Sequence, residues 1–99
     1  MLSPVIFPNA SLGDRLMGQI PGYGGMQRGD FIQTVCNGIK GPLHKVVEEE
    51  LSYHPITIVF EREFLHGLGS SSVLIEYFVT DRAGNVSVMS LPVIVTLQT

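Results

Sequence analysis

The sequence predicts an all-β domain, an antiparallel β-sandwich of about seven strands, and three observations carry that expectation. Apolar residues alternate with polar ones in short runs. Gly, Pro, Asn and Asp punctuate these runs at intervals of about ten residues. No long helical pattern lies between them, which argues against a parallel α/β sheet.

The chain has 99 residues, room for one core and no second. Its 44% hydrophobic and 15% charged residues exclude disorder, and its apolar runs fall far short of the roughly 18–20 residues of a membrane helix. A net charge of −3 offers no footprint for nucleic acid or an anionic membrane surface. A lone cysteine, Cys36, closes no disulfide within the chain. Met1-Leu2-Ser3-Pro4 lacks the charged and apolar regions of a secretory signal, which leaves a cytoplasmic protein or a module cut from a longer secreted one. The excised module is the expectation taken forward. The 11 Gly and 6 Pro are scattered, so no linker and no internal repeat stands out.

Taken in order, Val5-Ile6-Phe7 lies between Pro4 and Pro8 and fits a short edge strand. In the extended run from Phe31 to Cys36, either Ile32, Thr34 and Cys36 or Phe31, Gln33 and Val35 face inward, the first set with the smaller polar intrusion. Asn37-Gly38 ends it in a tight turn. Leu43, Val46, Val47 and Leu51 stand at helical spacing opposite Glu48-Glu49-Glu50, but an isolated helix this short is marginal in water and strand signals surround it, so a strand is expected. Ile56, Ile58 and Phe60 share one face of the next strand, introduced by His54-Pro55. The stretch from Glu61 to Gly69 then crosses over without clean alternation.

The strongest signal follows, with Val73, Ile75, Tyr77 and Val79 on one face of a strand ending at Thr80. A connection of about five residues, Asp81-Arg82-Ala83-Gly84-Asn85, reverses the chain, with Gly84 and Asn85 both suited to positive φ. Val86 to Leu97 reads as the returning strand, Val93, Val95 and Leu97 inward, interrupted by Pro92, which cannot donate to a ladder. The expected core is Ile32, Cys36, Ile56, Ile58, Phe60, Val73, Ile75, Tyr77, Val79, Val93 and Val95.

The stretch Tyr77-Phe78-Val79-Thr80-Asp81-Arg82-Ala83-Gly84-Asn85-Val86-Ser87 resembles the Y-x-V-T-D-x-A-G-N-x-S phrase closing bacterial immunoglobulin-like repeats. Ile20-Pro21-Gly22-Tyr23-Gly24-Gly25-Met26, followed by Gly29-Asp30-Phe31-Ile32, resembles a V-P-x-Y-x-G-M-x-x-G-D-x-I phrase of such repeats in large surface or secreted proteins of pseudomonads and related bacteria. Pro55 to Ile58 and Leu91 to Thr96 also fit. The chain departs from the pattern at Cys36, where such repeats often carry Trp, and over Lys40 to Tyr53, which matches poorly. The resemblance implies an immunoglobulin-like sandwich, stacked with neighbouring repeats of an adhesin-type protein outside a bacterial cell, as a spacer or a contributor to adhesion. It does not imply an enzyme or a cofactor.

Arg28-Gly29-Asp30 is the tripeptide that integrins recognise when a cation and a carboxylate are splayed on an exposed turn. Its plainer reading is a turn entering the strand at Phe31. With Tyr23, these residues are the candidate contacts for a host protein or glycan. Tyr23 and Tyr53 are equally suited to a loop contact or a core position. Asp81 and Asn85 offer two oxygen ligands towards calcium, short of the six to eight that ion takes, and turn chemistry accounts for both. The Glu48–Glu50 run reads as a solvated edge. His44, His54 and His66 match no transition-metal spacing. Cys36 reads as a small buried hydrophobe rather than a nucleophile. Ser70-Ser71-Ser72 has no nucleophile elbow around it, and Gly22-Tyr23-Gly24-Gly25 lacks the Lys and helix start of a phosphate loop.

Overall fold

In the computed structural model, residues 2–7, 15–52 and 56–97 are described. The strands are β1 (Arg15–Ile20), β2 (Phe31–Cys36), β3 (Ile39–Lys45), β4 (Ile56–Glu61), β5 (Ser72–Thr80) and β6 (Val93–Thr96). A short helix α1 (Arg62–His66) follows β4, and a 3₁₀ turn spans Glu48–Leu51. The strands form a two-stranded sheet, β1-β4, and a four-stranded sheet, β3-β2-β5-β6, with every pairing antiparallel. The result is an all-β, sandwich-like body. Of the expected edge strand at Val5-Ile6-Phe7, a single bridge from Ile6 to Gln19 of β1 is present.

Alternation determines what is buried. On β5, Val73, Ile75, Tyr77 and Val79 are buried while the residues between them are half-buried. Ile32, Thr34 and Cys36 of β2 face inward, the set with the smaller polar intrusion. Thr34 satisfies its hydroxyl by donating to the Pro42 carbonyl at 2.6 Å, beside an irregularity in the β2–β3 register. Ile56, Ile58, Phe60 and Val95 complete the expected core. Val93 differs: it is half-buried and packs against the core from its margin.

The core also holds Val5, Leu16, Ile20, Val46, Leu65 and Leu97. Leu16 and Ile20 lie on β1, a strand whose pattern is masked by Gly18 in its middle. That glycine answers to packing: a Cβ there would stand 2.7 Å from Val5 Cγ1 and 3.0 Å from the Phe7 ring. The edge segment and Phe60 close over the gap.

The two tight reversals differ in their conformational demands. Asn37 and Gly38 both take positive φ, 51° and 80°, as a two-residue hairpin turn requires. Asn37 also accepts a hydrogen bond from the Leu74 amide at 2.7 Å, fixing the turn to β5. In the Asp81–Asn85 connection Gly84 alone takes positive φ, 89°, and Asn85 does not, contrary to the expectation for it. The connection closes with a Thr80–Val86 bridge.

Two expectations about element type are corrected. The strand expected from Val86 to Leu97 is regular only at Val93–Thr96. Between these ends, Ser87 Oγ accepts from the Val79 amide at 2.9 Å and Ser90 Oγ accepts from the Tyr77 amide at 3.0 Å. Serine hydroxyls thus stand in for ladder carbonyls ahead of Pro92, which has no N–H to give. The segment around Leu43 to Leu51 is a strand only through Lys45, then a 3₁₀ turn. Its apolar residues share no face: Val46 is buried, whereas Leu43 is 56% and Val47 45% exposed.

Candidate functional site

Antiparallel pairing gathers three connections at one end of the body. Phe31 lies between Lys45 and Thr80 in the four-stranded sheet, so residues 21–30, 46–52 and 81–85 all lie beyond that row. Among them is a cleft of about 770 Å³, lined among others by Arg28, Phe31, Lys45, Val47, Glu48 and Arg82. The Lys45 ammonium lies 5.8 Å from the centre of the Phe31 ring, within cation–π range. Arg28 pairs with Glu48 at 3.7 Å, both side chains more than two-thirds exposed, a contact worth about 1 kcal/mol at most. The aliphatic stem of Arg82 rests on Gly29: a Cβ there would meet Arg82 Cδ at 2.5 Å, and Gly29 holds φ at 89°.

The structure divides Arg28-Gly29-Asp30. Arg28 faces solvent, whereas Asp30 is 2% exposed. The Asp30 carboxylate accepts the Tyr23 hydroxyl at 2.8 Å and the Gln27 amide at 3.1 Å. On the main chain, the Asp30 carbonyl accepts from the Val46 amide, and the Gly29 amide donates to the Val46 carbonyl, each at 2.8 Å. Cation and carboxylate are therefore not splayed together from a tip. Burial, and after it the hydrogen bond to Asp30, hold the Tyr23 phenol well above its ordinary pKa. Tyr23 thus serves Asp30 and packs against the core.

Asp81 and Asn85 satisfy one another. Asp81 Oδ1 accepts from the Ala83 and Asn85 amides at 2.9 and 2.8 Å, and Oδ2 accepts from Asn85 Nδ2 at 3.0 Å. The Asn85 side-chain bond first, then its amide, lower the Asp81 pKa. These are the bonds of an Asx turn. A smaller hollow of about 280 Å³ lies beside this turn, lined among others by Leu2, Tyr23, Asp30 and Val86.

The acidic run is a 3₁₀ turn rather than a strand edge; Glu48 and Glu49 are solvated, as expected, and Glu50 is half-buried. His44 Nε2 lies 2.9 Å from both carboxylate oxygens of Glu50, and Glu50 also accepts the Val47 amide at 2.9 Å. The turn bends the chain, so the strict up-and-down alternation of a strand does not apply. Tyr53, His54 and Pro55 lie outside the described residues. Cys36 is fully buried on β2, and burial lifts its thiol to about 11, which keeps it protonated at neutral pH. Ser70 Oγ donates to the Ser72 carbonyl and accepts from the Ser72 amide, as loop chemistry requires.

Among the described residues, no group of three or more His, Cys, Asp or Glu is placed to hold a metal ion, and no helix is long and apolar enough to cross a membrane. The Lys45–Phe31 pair escapes sequence reasoning because its partners are fourteen positions apart and meet only through the β2–β3 register. Comparison with family models, curated proteins and solved structures finds no match for this chain.

Proposed function

We propose that this chain is an immunoglobulin-like module with a non-catalytic, spacer role in a longer adhesin-type protein outside a bacterial cell. The observation that carries the reading is where the two ends of the described chain lie. Leu2 accepts from the Leu91 amide and borders the hollow beside the Asp81–Asn85 turn. Leu97 donates to the Ser71 carbonyl, just before the start of β5. Leu91 follows Ser90, whose amide donates to the Tyr77 carbonyl, so along β5 the two places are about 20 Å apart at about 3.3 Å per residue. With the two described ends separated along β5, each added module would extend the array.

The strand order supports the same reading. The Ile6 segment, β1 and β4 lie on one side and β3-β2-β5-β6 on the other. This partition agrees with strands A, B and E against C′, C, F and G of an immunoglobulin-type sandwich. Two copies fused end to end test the role by small-angle X-ray scattering. The maximum dimension is expected to grow by about the 39 Å long extent of one body. A fusion that folds back into one compact particle rules out the spacer reading.

A second reading, a binding module for a host protein or glycan, is favoured by the 770 Å³ cleft. Loops at one end of such a sandwich are the usual site of recognition. Arg28, Lys45 and Phe31 are its contact residues, and Gly29, Asp30 and Tyr23 are the frame behind them. Capture of the isolated chain on an integrin and glycan panel, lost in Arg28→Ala and Lys45→Ala with the melting temperature unchanged, supports this reading over the spacer.

A further inference from the structure

From Ala83 to Thr99 the sequence contains no Asp, Glu, Lys, Arg or His. Its described part, through Leu97, forms the margin of the four-stranded sheet and includes β6, and Val88 and Ile94 on it are 72% and 67% exposed. A bare strand edge presents unpaired amides and carbonyls, and proteins ordinarily guard such edges with charge, proline or a bulge. The opposite edge of the same sheet is guarded in that way: β3 carries Lys40, Pro42 and Lys45 and has an irregular register against β2. In the other sheet, β1 is flanked by Ile6, and β4 ends on Glu61 and lies against β3. Among the described residues, β6 is the edge that carries no charge, its guards being Pro92 just before it and its length of four residues.

We propose that β6 pairs antiparallel with β6 of a second copy of this chain, joining two four-stranded sheets across a two-fold axis. Charge decides the occupant. A two-fold axis sets each residue against its own counterpart or a near neighbour, and like charges placed directly opposite are destabilising. A strand with no charge on it or beside it meets its own copy without that cost.

The register follows from the ladder. Leu97 N donates to Ser71 O at 2.6 Å, so by alternation Val95 and Val93 also point their amides at β5, and Ile94 and Thr96 point theirs outward. A two-fold centred on Val95 sets Ile94 opposite Thr96 of the second copy and uses both outward residues on each side, for about four hydrogen bonds. A two-fold centred on Ile94 would bring Pro92 into the ladder, and Pro92 has no N–H to donate. The side chains of Ile94 and Thr96 then cover one another on the outer face.

Sedimentation velocity over a concentration series tests the pairing, with hydrogen exchange read on the same samples. The parent chain is expected to pass from monomer to twice the monomer mass as concentration rises, with the Ile94 and Thr96 amides protected only in the dimer. Ile94→Lys sets like charges close across the axis, and Thr96→Pro removes an outward amide and leaves the β5 ladder intact. Both are expected to remain monomeric with a parental melting temperature, and either one alone suffices if the other fails to fold. Val88→Lys, outside the paired residues, is expected to leave the dimer in place. A parent that stays monomeric throughout overturns the proposal. So does a dimer that survives the edge variants, one that leaves Ile94 and Thr96 exchanging freely, or one dissolved by Val88→Lys.

Discussion

The hydroxyl of Tyr77 donates to the carbonyl of Ser3 at 2.6 Å, binding the start of the chain to the middle of β5 across 74 positions of sequence. Tyr77 is fully buried, so its ring and its hydroxyl do separate work. Tyr77→Phe keeps the ring and removes the bond, for an expected loss of about 1 kcal/mol. Tyr77→Ala removes both and leaves a cavity, for about 3–5 kcal/mol. Urea denaturation of the two variants separates these values, and a Tyr77→Ala chain with parental stability would refute the core assignment.

Gly29 and Gly84 share a φ of 89° but differ in what surrounds them. Beside Gly84 a Cβ would meet nothing within 4 Å, whereas beside Gly29 it would meet Arg82 Cδ at 2.5 Å. Gly84→Ala is expected to cost about 1 kcal/mol, the backbone term alone. Gly29→Ala is expected to cost more, by an amount that Arg82→Ala in the same chain partly restores. Equal losses in the two single variants would show that the exposed Arg82 stem moves aside at little cost.

Ser90 and Ser87 complete the β5 ladder with side chains, and their burial sets them apart. Ser90 is 4% exposed and serves the buried Tyr77 amide, while Ser87 is half-buried. The main-chain bond from Ser90 N to Tyr77 O, 2.8 Å, survives truncation of either side chain. Ser90→Ala leaves a buried amide without its acceptor, an expected loss of about 1–3 kcal/mol, and Ser87→Ala falls nearer 1 kcal/mol. Thermal melts rank the pair, and the reverse order would mean that water replaces the Ser90 hydroxyl.

The legible and the hidden parts of this fold divide along physical lines. β5 is plain in the sequence because alternation over nine residues has no competing explanation. β1 is hidden because Gly18, required by the packing of Val5, Phe7 and Phe60, deletes the middle of its pattern. The break before β6 is hidden because serine reads as a loop residue and its ladder role depends on which amide lies opposite. At the candidate site, Arg28, Gly29 and Asp30 are adjacent in sequence, and no local rule says that Asp30 turns inward. That outcome depends on Tyr23, seven positions earlier, arriving at the same place.

Stability towards alkali is the last consequence of the buried groups. Burial raises the Cys36 thiol from 9.0 to about 11, and it raises the Tyr77 and Tyr23 phenols above 10.0, the hydrogen bond to Asp30 adding to burial for Tyr23. In each case the folded chain holds its proton more tightly than the unfolded chain. Above the unfolded value the folded state therefore binds more protons, and stability falls as pH rises. The contribution is complete below about pH 9, and Cys36 loses its share as pH rises through 9 to 11, about 3 kcal/mol in all at 1.4 kcal/mol per unit. The tyrosines follow above 10. Urea midpoints of the parent and of Cys36→Ala, measured from pH 8 upward, check the assignment. Cys36→Ala starts lower because it loses the packing of the sulfur, and its slope between pH 9 and 11 is flatter, so the two curves converge. Parallel curves would show that the thiol already ionises freely in the folded chain, and Cys36 would then have to lie within reach of water.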